Sequence, residues 1–380
     1  MARLGDICKF QSGGTPPKGE PSYFNGNIPW ITTVALNGSV IGKENAVDWI
    51  TEKAIENSAA KIVPANSVMV GTRVGVGKVA TNNVPMSTSQ DIISLIDIDE
   101  QKWSKAFICK FILGKGSYLN SQARGATIKG IKIDTLAELQ LPDMKLEEQK
   151  KISNILDGID KLYLLRKQQI SKLDELAKAR FVELFGECEE RKHLEEYASL
   201  ITKGASPKWQ GVDYCEEGTL FVTSENVREG YLDLSKRKYL DDKINEIQPR
   251  SILKRNDKLI NIVGASIGRA AVYDCDEVAN INQAVALVRV DYSQINQTYL
   301  MAFLNSPQAI EMYGKMKKGG ARDNLSLQNI ADLQIPVAPM ELQNLFATFV
   351  KQTDKSKLSI QQSLEKLETL KKALMQKYFG

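Results

Sequence analysis

Apolar positions recur every three or four residues over two long stretches of the chain. In residues 146–186, LEEQKKISNILDGIDKLYLLRKQQISKLDELAKARFVELFG, they fall at Ile152, Ile155, Ile159, Leu162, Leu173 and Leu176. In residues 340–380, MELQNLFATFVKQTDKSKLSIQQSLEKLETLKKALMQKYFG, they fall at Phe346, Phe349, Ile360, Leu367, Leu370 and Leu374. This period predicts one long helix per stretch, each with a coiled-coil seam. The stretches are copies: Glu147 and Glu341, Gln149 and Gln343, Asp160 and Asp354, Phe185 and Phe379 all lie about 194 positions apart, a register that shared helical composition would not keep. Arg166 and Gln169 interrupt one seam, and Thr353, Ser356 and Ser363 the other; polar seam positions weaken packing but fix register. The tandem repeat supplies a pseudo-two-fold axis, so pairing of the two helices would be antiparallel. The plainer alternative is two amphipathic helices, each packed on its own domain.

The remaining sequence alternates in shorter periods. IPWITTVAL (28–36), SVMVGTRVGVGKVA (67–80) and QDIISLIDI (90–98) are strand-like runs punctuated by Gly, Pro and Asn, and a helical run comes next at 103–119 before the closing LAELQLP. The same order returns as GTLFVTSENV, RNDKLINIVGASIGRAAVY, NINQAVALVRV, a helical YLMAFLNSPQAIEMY and IADLQIP. The expected architecture is α+β: two α/β domains at 1–143 and 188–338, alternating with long helices at 144–187 and 339–380. The globular copies diverge far more than the helices, as a reader with one frame and two different recognition surfaces requires.

Composition bounds the class. At 380 residues, with 43% hydrophobic and 25% charged residues, the chain is an ordinary globular protein of two or three domains. MARLGDICKF lacks the apolar core of a signal peptide, and no run reaches the roughly 20 apolar residues of a membrane span, so a cytoplasmic location is expected. Cys8, Cys109, Cys188, Cys215 and Cys275 are scattered with no C-x-x-C, and are expected to be buried, reduced thiols. A net charge of +4 is too small to argue nucleic acid, so local charge must carry that argument.

It concentrates in two loops. KGSYLNSQARGATIKGIK (115–132) holds Lys115, Arg124, Lys129 and Lys132; KMKKGGARDNLSLQN (315–329) holds Lys315, Lys317, Lys318 and Arg322. Each precedes the closing strand of its domain and sets Gly-Ala between cations, a combination suited to phosphate and base-edge contact. Two early loops, SGGTPPK (12–18) and GASPK (204–208), share a small-residue, Pro, Lys pattern, and Lys78 matches Arg269. The residues expected at DNA are Thr15, Lys18, Lys78, Gln90, Arg124, Thr127 and Lys129 in the first domain. In the second they are Lys208, Thr223, Arg269, Gln283, Lys317, Lys318 and Arg322.

Catalytic motifs fail on inspection. GTRVGVGK (71–78) has Thr72 where a phosphate loop needs Gly, and Val79 after the Lys. SGGTPPK lacks the acidic or amide first residue and the closing aromatic of an amino-methyltransferase motif. Pro142-Asp143 with Glu148-Gln149-Lys150 imitates a nuclease set but spans a helix start, where Asp143 reads as an N-cap. His193 has no partner cluster. No metal site or cofactor is expected in this chain.

Taken together, LGDI (4–7), IPWITT (28–33), LQLP (139–142), LEEQKKISNILDGID (146–160) and the returning LQIP and MELQ resemble the specificity subunits of type I restriction-modification systems. The resemblance covers essentially the whole chain. It implies a non-catalytic subunit in which each recognition domain binds half of a bipartite, asymmetric double-stranded DNA target. It implies an antiparallel helical spacer, with Ile155, Ile159, Leu162, Leu173, Leu176, Ile360, Leu367 and Leu370 as spacer and partner-binding positions. It also implies docking of two modification subunits carrying S-adenosylmethionine, and restriction subunits using ATP and Mg²⁺. Few residues precede LGDI, so a shortened strand-like lead-in is expected. About 27 residues of spacer helix would extend about 40 Å, near the roughly 34 Å of one duplex turn. A coiled-coil scaffold and a self-contained nuclease or methylase are the alternatives.

Overall fold

The computed structural model describes residues 1–125, 129–316 and 323–380. The chain divides into two compact units: Met1–Lys167 with Gln362–Gly380, and Gln168–Gln361. The cuts pass through both long helices, so each unit holds the first part of one and the last part of the other.

Unit 1 opens with β1 (Ala2–Arg3), α1 (Leu4–Ile7) and β2 (Lys9–Ser12), followed by β3 (Phe24–Ile31), β4 (Val40–Ile41), β5 (Asp48–Ile50) and α2 (Glu52–Asn57). Then come β6 (Ile62–Val63), β7 (Val68–Gly71), β8 (Val79–Asn82), β9 (Met86–Thr88) and β10 (Ile92–Ile96), then α3 (Lys105–Gly114), α4 (Gly116–Gln122), α5 (Ile133–Ala137) and β11 (Gln140–Leu141). One sheet has the order β2-β10-β7-β8-β4 and a second β5-β3-β9-β6. β7 is buried on both faces, and its alternation sorts the core: Val68 and Val70 pack with the helices, Met69 with the second sheet. The lead-in before LGDI is the two-residue strand β1, which pairs antiparallel with β11.

Unit 2 repeats the plan. The long helix α6 (Leu146–Phe185) leads into it, and β12 (Arg191–His193), β13 (Ala198–Lys203), β14 (Tyr214–Cys215), β15 (Thr219–Val222) and β16 (Tyr239–Leu240) precede α7 (Lys243–Ile247), β17 (Lys258–Asn261), β18 (Ala270–Val272), β19 (Ala279–Ile281) and β20 (Val285–Val290). After α8 (Gln297–Leu304), α9 (Pro307–Met316) and α10 (Leu327–Ala331), β21 (Gln334–Pro336) closes on β12. The sheets are β13-β20-β17-β18 and β14-β16-β15-β19. In β20, Ala286, Val288 and Val290 face the helix-side core, and Val285 and Leu287 the inter-sheet core. The sheets are mainly antiparallel, as α+β demands, but each unit keeps a parallel pair between equivalent strands, β3 with β9 and β15 with β19.

The second long helix is α11 (Met340–Phe379); it and α6 are each 40 residues long. Both fall within the expected stretches, and their ends, beyond the roughly 27 residues taken as spacer, are built into the unit cores. In unit 1, Ile152, Leu156 and Phe379 join one core, with Phe379 edge-on to Phe107 at 5.2 Å between centroids. In unit 2, Phe181 and Phe185 meet Phe346 at 5.5 and 5.6 Å. Within unit 1, Tyr163 donates to Glu368 at 2.7 Å and Lys371 bonds Asp160; within unit 2, Lys357 bridges Asp174 at 2.5 Å. Positions rising on α6 meet positions falling on α11, so the pairing in each unit is antiparallel.

The seam runs one step off the expected phase. Its α6 positions are Ile152, Leu156, Ile159, Tyr163, Arg166, Ile170, Leu173 and Ala177, a continuous 4-3 spacing of buried or half-buried residues. Ile155, Leu162, Leu176 and, on α11, Leu370 are 42%, 48%, 50% and 48% exposed. A purely apolar count misses this phase because it takes Leu162 over Tyr163; Arg166 lies in the seam as expected, whereas Gln169 is exposed outside it. Ile159 is buried, and Leu173, Ile360 and Leu367 are half-buried as expected. Asp143 does not hold the N-cap of α6, since that position is Lys145, whose carbonyl accepts from Glu148 and Gln149 at 3.0 Å. Of the five free cysteines only Cys109 is fully buried, and Cys215 is exposed.

Candidate nucleic-acid interface

Backbone hydrogen bonds bring the four expected DNA-facing segments of unit 1 to one end of its sheets. The early loop enters through Gly13, whose N–H donates to Ile92 O at 3.0 Å, and Gly14, which donates to Thr88 O at 2.8 Å. A Cβ on Gly14 would stand 2.0 Å from Ala59 O, so only glycine fits there. Thr72 N–H donates to Asp91 O at 2.8 Å, tying the β7–β8 turn to the Gln90 corner. Ile131 N–H donates to Thr72 O at 2.8 Å and brings in the basic loop. The described ends of that loop pair with each other, Arg124 and Gly130 exchanging backbone bonds of 2.9 and 3.0 Å. Gly77 at φ +80° lets the β7–β8 turn approach α4, where Asn120 donates to Val76 O at 3.0 Å.

The turn and the paired loop ends border a cleft of about 580 Å³ lined by Arg73, Gln122, Arg124, Gly130, Ile131, Lys132 and Thr135. Its charged lining is cationic only. Arg73, Arg124 and Lys132 are exposed and form no ion pair among the described residues. Cations left without an acid around a concave, amide- and hydroxyl-bearing surface favour a polyanion.

Unit 2 builds the same corner. Asn282 N–H donates to Val222 O at 3.1 Å, Ile262 to Ala284 O at 2.9 Å, and Leu325 to Ile262 O at 2.9 Å. Gly264 N–H reaches Asp323 O at 3.2 Å, joining the β17–β18 turn to the base of the second basic loop. Asn261 Nδ2 braces that turn, donating to Ser224 O and Ser266 Oγ, both at 3.0 Å. Gly204 abuts Ile281 O and Asn282 O, which places the early loop at the same corner.

Lys18, Lys78, Gln90, Arg124 and Lys129 in unit 1, and Lys208, Arg269 and Gln283 in unit 2, are exposed, while Thr15 is half-buried. Thr223 is not available to a ligand. It is buried where β15 ends, its hydroxyl donates to Asn226 Oδ1 at 3.1 Å, and the same oxygen accepts from its N–H at 2.9 Å. Thr127, Lys317, Lys318 and Arg322 lie outside the described residues. Sequence reasoning missed Arg73, whose signal was a cation at the tip of a glycine-bounded turn, and Gln122. It named Lys132 only as part of its loop.

Two tandem α+β units, each presenting a loop corner from the same sheet frame and each built around an antiparallel pair of long-helix segments, define a class of duplicated proteins that use one frame for two recognition surfaces. The chain belongs to the type I restriction modification DNA specificity domain family, whose model matches residues 1–175 and 201–371. It is 24% identical to the type I restriction enzyme EcoBI specificity subunit of Escherichia coli, over 100% of this chain and 79% of that one. It is 22% identical to the MjaVIII specificity subunit of Methanocaldococcus jannaschii, over 99% and 90%. The match to the MjaIX specificity subunit of the same organism, at 28% identity, covers 55% of this chain and about half, 49%, of that relative. Among solved structures, a chain from a study of complex assembly and conformational transition of the type I restriction-modification system shares the fold at TM-score 0.70 and 15% identity, covering 100% and 96%. The type I S subunit from M. genitalium does so at 0.56 and 16%, covering 100% and 95%. A specificity subunit is the non-catalytic component of its complex.

Proposed function

We propose that this chain reads a bipartite, asymmetric duplex DNA target, unit 1 taking one half and unit 2 the other, and directs type I methylation and restriction subunits to it. The observation that carries this reading is the duplicated corner. In both units an early loop with a tightly packed glycine, a Gln-bearing strand corner, a cation-bearing turn and the base of a basic loop converge through backbone bonds and close backbone approach, and in unit 1 the turn and the basic loop line a cleft whose charges are all positive. Phosphates would fix register there, and the Gln, Thr and Arg side chains would read base edges.

Two modification subunits carrying S-adenosylmethionine, and restriction subunits using ATP and Mg²⁺, complete the proposal, with the assembly in the cytoplasm. No described helix is long and apolar enough to cross a membrane. Ile155, Leu162 and Leu165 stand out of the helical seam on α6, with open space around Gly158 between them. This 3-4 apolar stripe suits a partner helix. The test is selection from a randomised duplex pool by the full chain copurified with its methylase partner, followed by mapping of methylated adenines in cells carrying both. Recovery of one two-part motif by both routes supports the reading. Unselective retention, or a single continuous motif, overturns it.

A further inference from the structure

Trp209 in unit 2 is 85% exposed, more than any other large apolar side chain among the described residues. Indole is usually among the most buried groups, because it carries a large apolar surface. Here the backbone holds it in water. The turn Pro207–Gln210 is anchored by the buried Pro207 and by Val212, which packs with Phe221, Leu240 and Ile244. Trp209 N–H donates to Ser206 O and Val212 N–H to Pro207 O, both at 3.1 Å, and Gly211 closes the turn in the left-handed region at φ +63°. The ring is thus presented on a braced support rather than left on a loose loop.

Its surroundings narrow what it meets. The turn continues directly from Gly204, which abuts Ile281 O and Asn282 O beside the exposed Gln283. Lys208, next in the chain, is exposed and forms no ion pair among the described residues. An aromatic face beside a free cation, five residues on from the glycine that packs at this corner, matches a ligand with phosphates and flat rings. The matching loop of unit 1, GGTPPKGE, keeps the lysine and has no aromatic.

We propose that Trp209 is an aromatic wedge through which unit 2 engages DNA, stacking on a base step that it partly opens within its half-site. This rests on the DNA reading above and adds that the two units differ in mode: unit 1 grips through cations alone at this loop, and unit 2 also unstacks. Flexible pyrimidine–purine steps are the ones opened at least cost, so the half-site read by unit 2 should contain one.

The test uses the full chain as wild type, Trp209→Ala and Trp209→Phe. The probe is the duplex that wild type retains best from a randomised pool, with 2-aminopurine scanned through each half. The wedge predicts that Trp209→Ala binds roughly tenfold more weakly, within the range one base stack is worth, and that Trp209→Phe recovers most of the loss. The salt slope should not move, because no cation is removed. Wild type should brighten 2-aminopurine at one step of one half only, and Trp209→Ala should not. If wild type selects no duplex, the DNA reading falls and takes the wedge with it. If wild type selects a target that Trp209→Ala holds equally well, with unchanged 2-aminopurine signal, the wedge alone is wrong. A loss confined to copurification of a protein partner would equally overturn it. Unfolding curves should coincide for all three proteins, since the side chain contributes little to the core.

Discussion

Gln149 Oε1 accepts a hydrogen bond from Ser104 N–H at 3.0 Å, fastening the first turns of α6 to the N-cap of α3. The Gln149 amide also donates to Lys102 O and Met144 O, at 3.1 and 3.0 Å. Unit 2 repeats the arrangement: Gln343 accepts from Asn296 N–H at 2.8 Å at the N-cap of α8 and donates to Ala338 O at 2.8 Å. Both glutamines are buried. Replacing Gln149 by Leu would orphan buried donors and acceptors, each costing about 1–3 kcal/mol. Urea unfolding should show a loss of about 2–3 kcal/mol for Gln149→Leu and for Gln343→Leu. A change below about 0.5 kcal/mol would mean the bonds are dispensable.

The seam phase is open to crosslinking. Tyr163→Cys with Glu368→Cys should join efficiently through a short bis-maleimide, because these side chains face each other in unit 1. Leu162→Cys with Glu368→Cys should join less well, since Leu162, at the same level, is 48% exposed and lies off the seam. Equal yields from both pairs would contradict the phase described.

How far the sequence disclosed these features depended on what carried the signal. The repeat, both long helices and the four converging segments were legible because periodicity and motif order survive in one dimension. Arg166 was rightly placed in the seam, but the phase slipped because Tyr163 stands in it beside the more apolar Leu162, and side-chain polarity is a poor guide when a long side chain buries its stem. Thr223 passed for a ligand-binding residue because nothing local reveals that Asn226 occupies its hydroxyl. Arg73 was missed because its neighbours in the cleft lie about 50 residues further along, brought there by the Ile131–Thr72 backbone bond.

Unit 1 also holds a buried cation. Lys110 on α3 bridges Asp157 at 2.7 Å and Asp160 at 3.2 Å. Burial, the largest single effect, works against its charge, but the two carboxylates together outweigh it and raise its pKa. Lys258 in unit 2 forms no ion pair among the described residues, and the nearby Asp257 does not outweigh its burial. It is fully buried, donates to Asn256 O at 3.0 Å and lies 5.2 Å from the Tyr292 ring centre, and burial pulls its pKa from 10.5 down to about 7, with Asp257 opposing. Between pH 7 and 10.5 the unfolded chain therefore holds a proton that the folded chain lacks. Wild-type stability should rise with pH across that window, by up to about 1.4 kcal/mol per unit, and be lost as pH falls towards about 7. Lys258→Met should remove this dependence. Unfolding both proteins at about pH 7.5 and about pH 9.5 checks it, and parallel changes would show that Lys258 stays charged when folded.

The cleft makes a salt prediction. Arg73→Ala with Lys132→Ala should weaken DNA binding and reduce the slope of log affinity against log salt by about 0.9 for each phosphate no longer neutralised. Gln122→Ala should leave the slope unchanged and alter base preference in the half-site read by unit 1. A slope unmoved by the double replacement would make these cations solvated bystanders.

Helix length bears on target geometry. If the helices set the distance between half-sites, matched four-residue insertions after Lys167 and after Gln361 add about 6 Å to the helical stretch, at nearly a full rotation. At about 3.4 Å per base pair, the preferred spacing should grow by one or two base pairs while both half-sites stay the same. Matched two-residue insertions add less length but rotate the distal part of each helix by about 200°, and should abolish binding instead. The half-sites themselves should be unrelated in sequence, because the two units share a frame but few loop residues. Methylation mapping with each insertion separates the outcomes. A four-residue insertion that altered base preference inside a half-site, or left the spacing unchanged, would show that the helices do not measure the target.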